Sequence, residues 1–222
     1  MTPRLVIALS ILLVSCASTD AASRKSRRSS SSDKPGVFDY YLLSLSWSPE
    51  YCAGPSGGHD NGQCGEGRRF GFVVHGLWPQ YERGYPESCG SAKPVPQSLV
   101  NTMLPLMPSP KLIQHEWEKH GVCSGLDVSA YFRQIQNAFA GVKIPEDYRG
   151  PLKNIEVAPA DVKAKFGKAN PSYPATAFRI QCSGRYLSEM RVCLTKDLKG
   201  RACGSDIRDT CRDATVILRP VR

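Results

Sequence analysis

The chain has 222 residues, 41% of them apolar and 22% charged, with 19 glycines, 17 prolines and 9 cysteines, which excludes a disordered chain and a coiled coil and fits one globular domain. Lysine and arginine number 29 against 20 acidic residues, a net charge of +9, so the surface favours polyanions over cationic partners.

The one long apolar run, Leu5 to Val14, follows Arg4 and is far too short to span a bilayer, so residues 1–21 read as a signal peptide. Cleavage after Ala17 or Ala21 fits its small residues. Leu13-Val14-Ser15-Cys16 also resembles a bacterial lipobox, in which Cys16 would carry a lipid anchor; the preferred reading is a discarded signal and an exported, secreted or periplasmic protein. Residues 22–36 are Ser-rich and basic, with Arg24, Lys25, Arg27, Arg28 and Lys34 set against Asp33, and predict a disordered arm. The folded domain is expected over residues 37–222.

Eight cysteines follow the signal: Cys52, Cys64, Cys89, Cys123, Cys182, Cys193, Cys203 and Cys211. An even number in an exported chain implies disulfides, although spacing leaves the connectivity open, and no Cys-x-x-Cys pair supports structural zinc. Alternation in residues 38–47 predicts a first strand, with Tyr41, Leu43, Leu45 and Trp47 on one face and Ser44 and Ser46 on the other. Residues 53–67 form a Gly-rich loop. Gly54-Pro55-Ser56-Gly57-Gly58 in it matches the Gly-x-Ser-x-Gly nucleophile elbow only formally, since neither an entering strand nor a leaving helix is predicted; His59 there reads as a solvated bystander. Residues 70–75 predict a second strand with His75 at its exit.

Ser109 as N-cap, Pro110 at the first helical position and Gly121 beyond the end frame a helix over residues 110–120. Asp127 caps another, ending at Gly141, in which Val128, Tyr131, Phe132, Ile135 and Phe139 follow the amphipathic period. A shorter helix with Val162 and Phe166 stops at Gly167. Strands are expected at 177–182, 186–194 and 215–218, giving an α+β fold: a single domain with a mostly antiparallel sheet and flanking helices.

The capped helix reads His115-Glu116-Trp117-Glu118-Lys119-His120. At about 100° per residue, with His115 at zero, Lys119 lies near 40°, Glu116 near 100° and His120 near 140°, so four functional groups share a face while Trp117 and Ile113 turn toward the core. A His-Glu-x-x-His zinc site needs histidines four apart; here the spacing is five and a lysine intrudes. Two imidazoles, a carboxylate and an ammonium suit metal-free phosphodiester cleavage, because one neutral His can take a proton while a protonated one gives it, and Lys119 can meet the growing phosphate charge.

Phe72-Val73-Val74-His75-Gly76-Leu77-Trp78-Pro79 and His115 through Cys123 resemble the two active-site segments of the ribonuclease T2 family, and Phe38 through Pro49 with Cys52 resembles its first strand. That resemblance implies an endoribonuclease acting on single-stranded RNA and not DNA, without cofactor or metal, as a monomer. His120 would be the general base, His75 the general acid and His115 a phosphate ligand, with Glu116 and Lys119 stabilising the pentacovalent state. Glu118 occupies a variable position. The resemblance also implies four disulfides, pairing Cys52 with Cys64, Cys89 with Cys123, Cys182 with Cys211 and Cys193 with Cys203.

For base binding, Trp78 offers a stacking face, Gln80 an amide that can donate and accept, Tyr81 or Tyr85 a second wall and Leu112 a contact beside the catalytic face, which together predict broad specificity. The competing reading packs Trp78 into the core. A catalytically silent RNA-binding or toxin-like module on the same fold is the alternative function; the retention of both His75 and His120 argues against it. A disulfide scaffold would leave the His-Glu-Lys-His face unexplained.

Overall fold

The computed structural model describes Met1 and residues 33–222. The signal segment, Cys16 and most of the basic arm lie outside the described residues. The arm's final stretch, residues 33–36, is bound to the domain: the Tyr81 hydroxyl and the Glu87 N–H donate to the Asp33 carboxylate at 3.1 and 3.3 Å, and the Gly36 N–H donates to Cys123 O at 2.9 Å.

Strand β1 (Tyr40–Trp47) is flanked by β2 (Phe72–Gln80) and β5 (Tyr186–Leu194). With β3 (Ile155–Val157), β4 (Phe178–Ser183) and β6 (Val216–Leu218) they form one sheet of order β2-β1-β5-β6-β3, with β4 also on β5. Every pairing is antiparallel except β5 with β6. The helices are α1 (Ser48–Ala53), α2 (Asn61–Cys64), α3 (Gln97–Met103), α4 (Pro110–Lys119), α5 (Val128–Gly141) and α6 (Pro159–Ala169).

Alternation divides the sheet's two faces. Tyr41, Leu43, Leu45 and Trp47 enter the main core, where they meet Ile113 and Trp117 of α4, Tyr131, Phe132 and Ile135 of α5, and Val162 and Phe166 of α6. Each such large side chain contributes about 1.5–3 kcal/mol on burial. The opposite face holds a small apolar cluster, Tyr40, Leu42 and Cys193 with Trp78, Cys203 and Ile207 against it, and beyond it carries Ser44, Ser46, Glu189 and Arg191. An α+β domain with a mostly antiparallel sheet is the architecture.

Several boundaries differ from the sequence expectation. β2 does not end at His75 but runs on through Pro79 to Gln80, which is possible because β2 is the last strand in the order and a missing N–H is tolerated there. α4 stops at Lys119; His120 caps it, its N–H donating to Glu116 O at 3.0 Å. The chain then tightens into a 3₁₀ turn, Gly121–Cys123. A Cβ on Gly121 would lie 2.4 Å from the Trp117 ring and 2.9 Å from that of Tyr131, so only glycine lets the turn sit so close to the core. α6 passes Gly167 and ends at Ala169, where Asn170 closes it by donating to Phe166 O at 2.8 Å. The short elements α1, α2, α3 and β3 were not foreseen. Ser56 precedes a 3₁₀ turn, Gly57–His59, rather than a helix following a strand.

The bridges are Cys52–Cys64, Cys89–Cys123, Cys182–Cys211 and Cys193–Cys203, the pairs the resemblance implied. Cys89–Cys123 joins the segment after β2 to the turn after α4 across 34 residues. Replacing both cysteines by alanine is expected to lower stability by about 3–4 kcal/mol, measured by urea unfolding of the oxidised protein; a loss under about 1 kcal/mol would show that packing alone holds this junction.

Candidate active site

In a regular strand, residues three apart point to opposite faces, which would separate His75 from Trp78. β2 escapes this rule. Ser44 pairs with Gly76 while Leu45 pairs with Val74, leaving His75 as the extra residue of a bulge, a device that re-aims side chains. His75 and Trp78 thus come together on the polar face, ring centroids 5.2 Å apart and nearly perpendicular.

α4 brings the remaining groups to this edge. Ser109 Oγ accepts from Leu112 N at 3.4 Å to start it, and Ile113 and Trp117 bury its apolar side. Glu116 is only 1% exposed; its Oε2 accepts from Trp78 Nε1–H at 2.7 Å, and its Oε1 lies 3.8 Å from His75 Nε2. Gly76 leaves the space in which that hydrogen bond forms, since a Cβ there would stand 2.0 Å from Glu116 Oε2 and 2.3 Å from Trp78 Nε1. His120 is 9% exposed and its ring tilts against Trp78 at 5.3 Å between centroids. The indole therefore stands between the two histidines.

A cavity of about 280 Å³ opens here, walled by Leu42, Trp78, Tyr85 and Ile207, with Gln80, Lys119, His120 and Arg191 as its polar lining. Tyr85 approaches His120 at 6.4 Å between centroids. Gln80 is buried, and its amide N–H donates to Pro79 O at 2.9 Å. Lys119 Nζ is paired with Glu87 at 2.9 Å. His115 is exposed and is not part of the cavity wall. Tyr81, turned to Asp33, and Leu112, packed half-buried on the core, also lie outside it. The helical face predicted as one surface is thus split, with Glu116 and His120 turned inward and His115 outward.

Two residues that the sequence reasoning missed complete the site. Glu189 on β5 contacts His75 Nδ1 through Oε1 at 2.7 Å, and Arg191 donates to Glu189 Oε2 through Nε and Nη2, both at 2.9 Å. Opposite charges two apart on a strand with otherwise buried neighbours were the available signal.

These contacts tune the histidines in opposite directions. Burial drives the His120 pKa down to about 3, and the charges of His115, His75 and Lys119 push the same way. Its Nδ1 is buried with no hydrogen-bond partner, so an imidazolium there would bury an unpaired donor. Burial also opposes charge on His75, but the Glu189 hydrogen bond and the charges of Glu189 and Glu116 outweigh it and raise the pKa above the ordinary histidine value. Burial raises Glu116 to about 7. Glu189, despite its own burial, is held at about 2 by His75 and Arg191. Among the described residues no group of three or more His, Cys, Asp or Glu side chains is arranged to hold a metal ion.

Residues 38–203 match the model of the ribonuclease T2 family. The chain is 34% identical over 196 residues to a ribonuclease of Aeromonas hydrophila, covering 84% of this chain and 88% of the relative. It is 30% identical over 207 residues to ribonuclease DdI of Dictyostelium discoideum, covering 80% and 86% respectively. Among solved structures, an RNase-related protein from Calystegia sepium superposes with a TM-score of 0.68 at 21% identity, covering 83% of this chain and 98% of the other. RNase NT in complex with 5'-AMP does so with a TM-score of 0.64 at 20% identity, covering 82% and 98%.

The crowding over Gly76 has a direct test. Gly76→Ala should separate Glu116 from Trp78, lowering stability by about 1–3 kcal/mol in thermal unfolding and reducing RNA cleavage; unchanged unfolding and turnover would mean that the hydrogen bond does not organise the site.

Proposed function

The chain belongs to the ribonuclease T2 family of RNA-cleaving enzymes, and from that premise we propose that it is an exported endoribonuclease cleaving single-stranded RNA by metal-independent transesterification. Neutral His120 takes the proton of the ribose 2′-hydroxyl, the 2′-oxygen bonds to phosphorus, and the bond from phosphorus to the 5′-oxygen breaks as His75 Nε2 gives that oxygen a proton. The 2′,3′-cyclic phosphate is then opened by water, with the two histidines in exchanged roles, to a 3′-phosphate. The observation that carries this reading is the pair of oppositely tuned histidines on either side of one indole.

Lys119 exchanges Glu87 for a phosphate oxygen, where it meets the charge that grows in the transition state. Glu116, almost inaccessible, acts by holding the Trp78 ring through its Nε1–H and, when ionised, the His75 charge. His115, exposed on α4, supplies an outer phosphate contact. Trp78 and Tyr85 offer ring faces to a base, and Gln80 and Arg191 line the same cavity without a single exclusive donor–acceptor pattern, which supports broad base specificity. Four disulfides in a chain with an N-terminal signal-like segment support export, by secretion or to a periplasm, with a lipid on Cys16 as the alternative route. No helix among the described residues is long and apolar enough to cross a membrane.

Purified mature protein in EDTA should cut RNA after every base with modest preference, leave DNA intact because it lacks the 2′-hydroxyl, and yield cyclic and 3′-phosphate ends. His75→Ala and His120→Ala should each lose about 100- to 10,000-fold in turnover while remaining folded. DNA cleavage, or loss of activity in EDTA, would overturn the mechanism.

The pH dependence follows from the two pKa directions. His120 must be unprotonated, so kcat/KM should fall as pH drops through about 3. His75 must be protonated, so kcat/KM should fall as pH rises through a value above the ordinary histidine pKa. A profile with both limbs near the ordinary histidine value would contradict these assignments.

A further inference from the structure

We propose that Glu189 and Arg191 form a positioning pair for the proton donor: Glu189 takes a hydrogen bond from His75 Nδ1, leaving Nε2 to deliver the proton, and Arg191 pins the carboxylate in place. The inference rests on the reading of His75 as general acid.

The pair depends on sheet register. β2 and β5 lie on opposite sides of β1, so His75 and Glu189 are separated by two strand spacings, about 9–10 Å of backbone. Opposite Glu189 on β1 stands Ser46, and opposite Arg191 stands Ser44. Two serines on this face leave the space above β1 clear of bulk, and the longer side chains meet across it. Leu42, the next residue of β1 on the same face, belongs instead to the small apolar cluster.

An ionised carboxylate can only accept, so the 2.7 Å contact places a proton on Nδ1. The division of Glu189 is one oxygen per partner: Oε1 to His75, Oε2 to the Arg191 fork. A planar guanidinium fixes a carboxylate's orientation better than a lone ammonium would. Arg191 is itself braced, its guanidinium carbon 5.4 Å from the centre of the Trp78 ring. The charged and titratable groups facing His75 are thus Glu189 and Arg191 from β5 and Glu116 and His120 from α4 and its cap. Glu189 is the only one of these in short hydrogen-bond contact with the ring.

The test compares Glu189→Gln and Glu189→Ala with the unsubstituted mature protein, by NMR titration of the His75 ring and by pH–rate profiles on RNA. Both variants should lower the His75 midpoint by about one pH unit or more and move the alkaline limb of kcat/KM by the same amount, leaving the acid limb in place. The Gln amide oxygen still accepts from Nδ1–H, so Glu189→Gln should retain severalfold more kcat than Glu189→Ala. An unmoved His75 midpoint in both variants overturns the inference, as does equal kcat in the two. Full activity of His75→Ala overturns instead the assignment of the acid. If Glu189→Ala fails to fold, the Glu189→Gln titration and profile decide alone.

Discussion

The bulge at His75 is the constraint on which the candidate catalytic face depends. Without the extra residue, β2 would send His75 into the same layer as Val74 and Leu77, among the helices, or would send Trp78 there in its place. With it, imidazole and indole stand on one side, and Glu116 reaches both over the bare backbone of Gly76. The bulge is also what allows a glutamate from the far side of β1 to reach Nδ1, since a ring on the core face would have met apolar side chains such as Leu45 and Met190.

Around that point the fold holds ionisable groups away from their states in water. Glu116 retains its proton to about pH 7 and His120 refuses one down to about 3. Both are unfavourable burials, of the kind that functional sites sustain at a cost in stability. The compensation is local for Glu116, through the Trp78 N–H, and distributed for His120, whose helix is anchored by Ile113 and Trp117 and whose following turn is bridged by Cys89–Cys123. The candidate site is built at the margin of the core rather than on a loop.

The parts of this arrangement written in local pattern were legible in the sequence. Ser109, Pro110 and Gly121 marked α4 because capping is a short-range property, and the alternation of Tyr41, Leu43, Leu45 and Trp47 marked β1 because a half-buried strand repeats every second residue. The histidine face of α4 was read from residue types and spacing, whereas the disulfide pairs and the separate roles of His75, His115 and His120 came through family resemblance. What could not be read locally was anything set by pairing between strands. The continuation of β2 through Pro79 depends on its place at the sheet edge, the bulge is a matter of register with Ser44 and Leu45, and Glu189 and Arg191 join the site only through β1. The wheel placed Glu116 and His115 on one face, but which part of that face turns inward depends on the strand beside it. Cation partners such as Glu87 on Lys119 were equally hidden, being contributed from a distant loop.

Those partners bear on how the enzyme meets its substrate. Both cations of the cavity are already matched in the free protein, Lys119 by Glu87 and Arg191 by Glu189. On the proposed mechanism an arriving phosphate would not neutralise bare charge and release a full complement of counterions; it would displace a carboxylate from Lys119 and leave that carboxylate to be hydrated. The ionic-strength dependence of binding is governed by the number of counterions released, so on that reading it would be shallower at this pocket than its count of cations suggests. Long-range attraction to RNA would then be left to the chain's overall charge of +9, and the cavity itself would discriminate by fit, holding a phosphate only where its geometry outbids a carboxylate already in place.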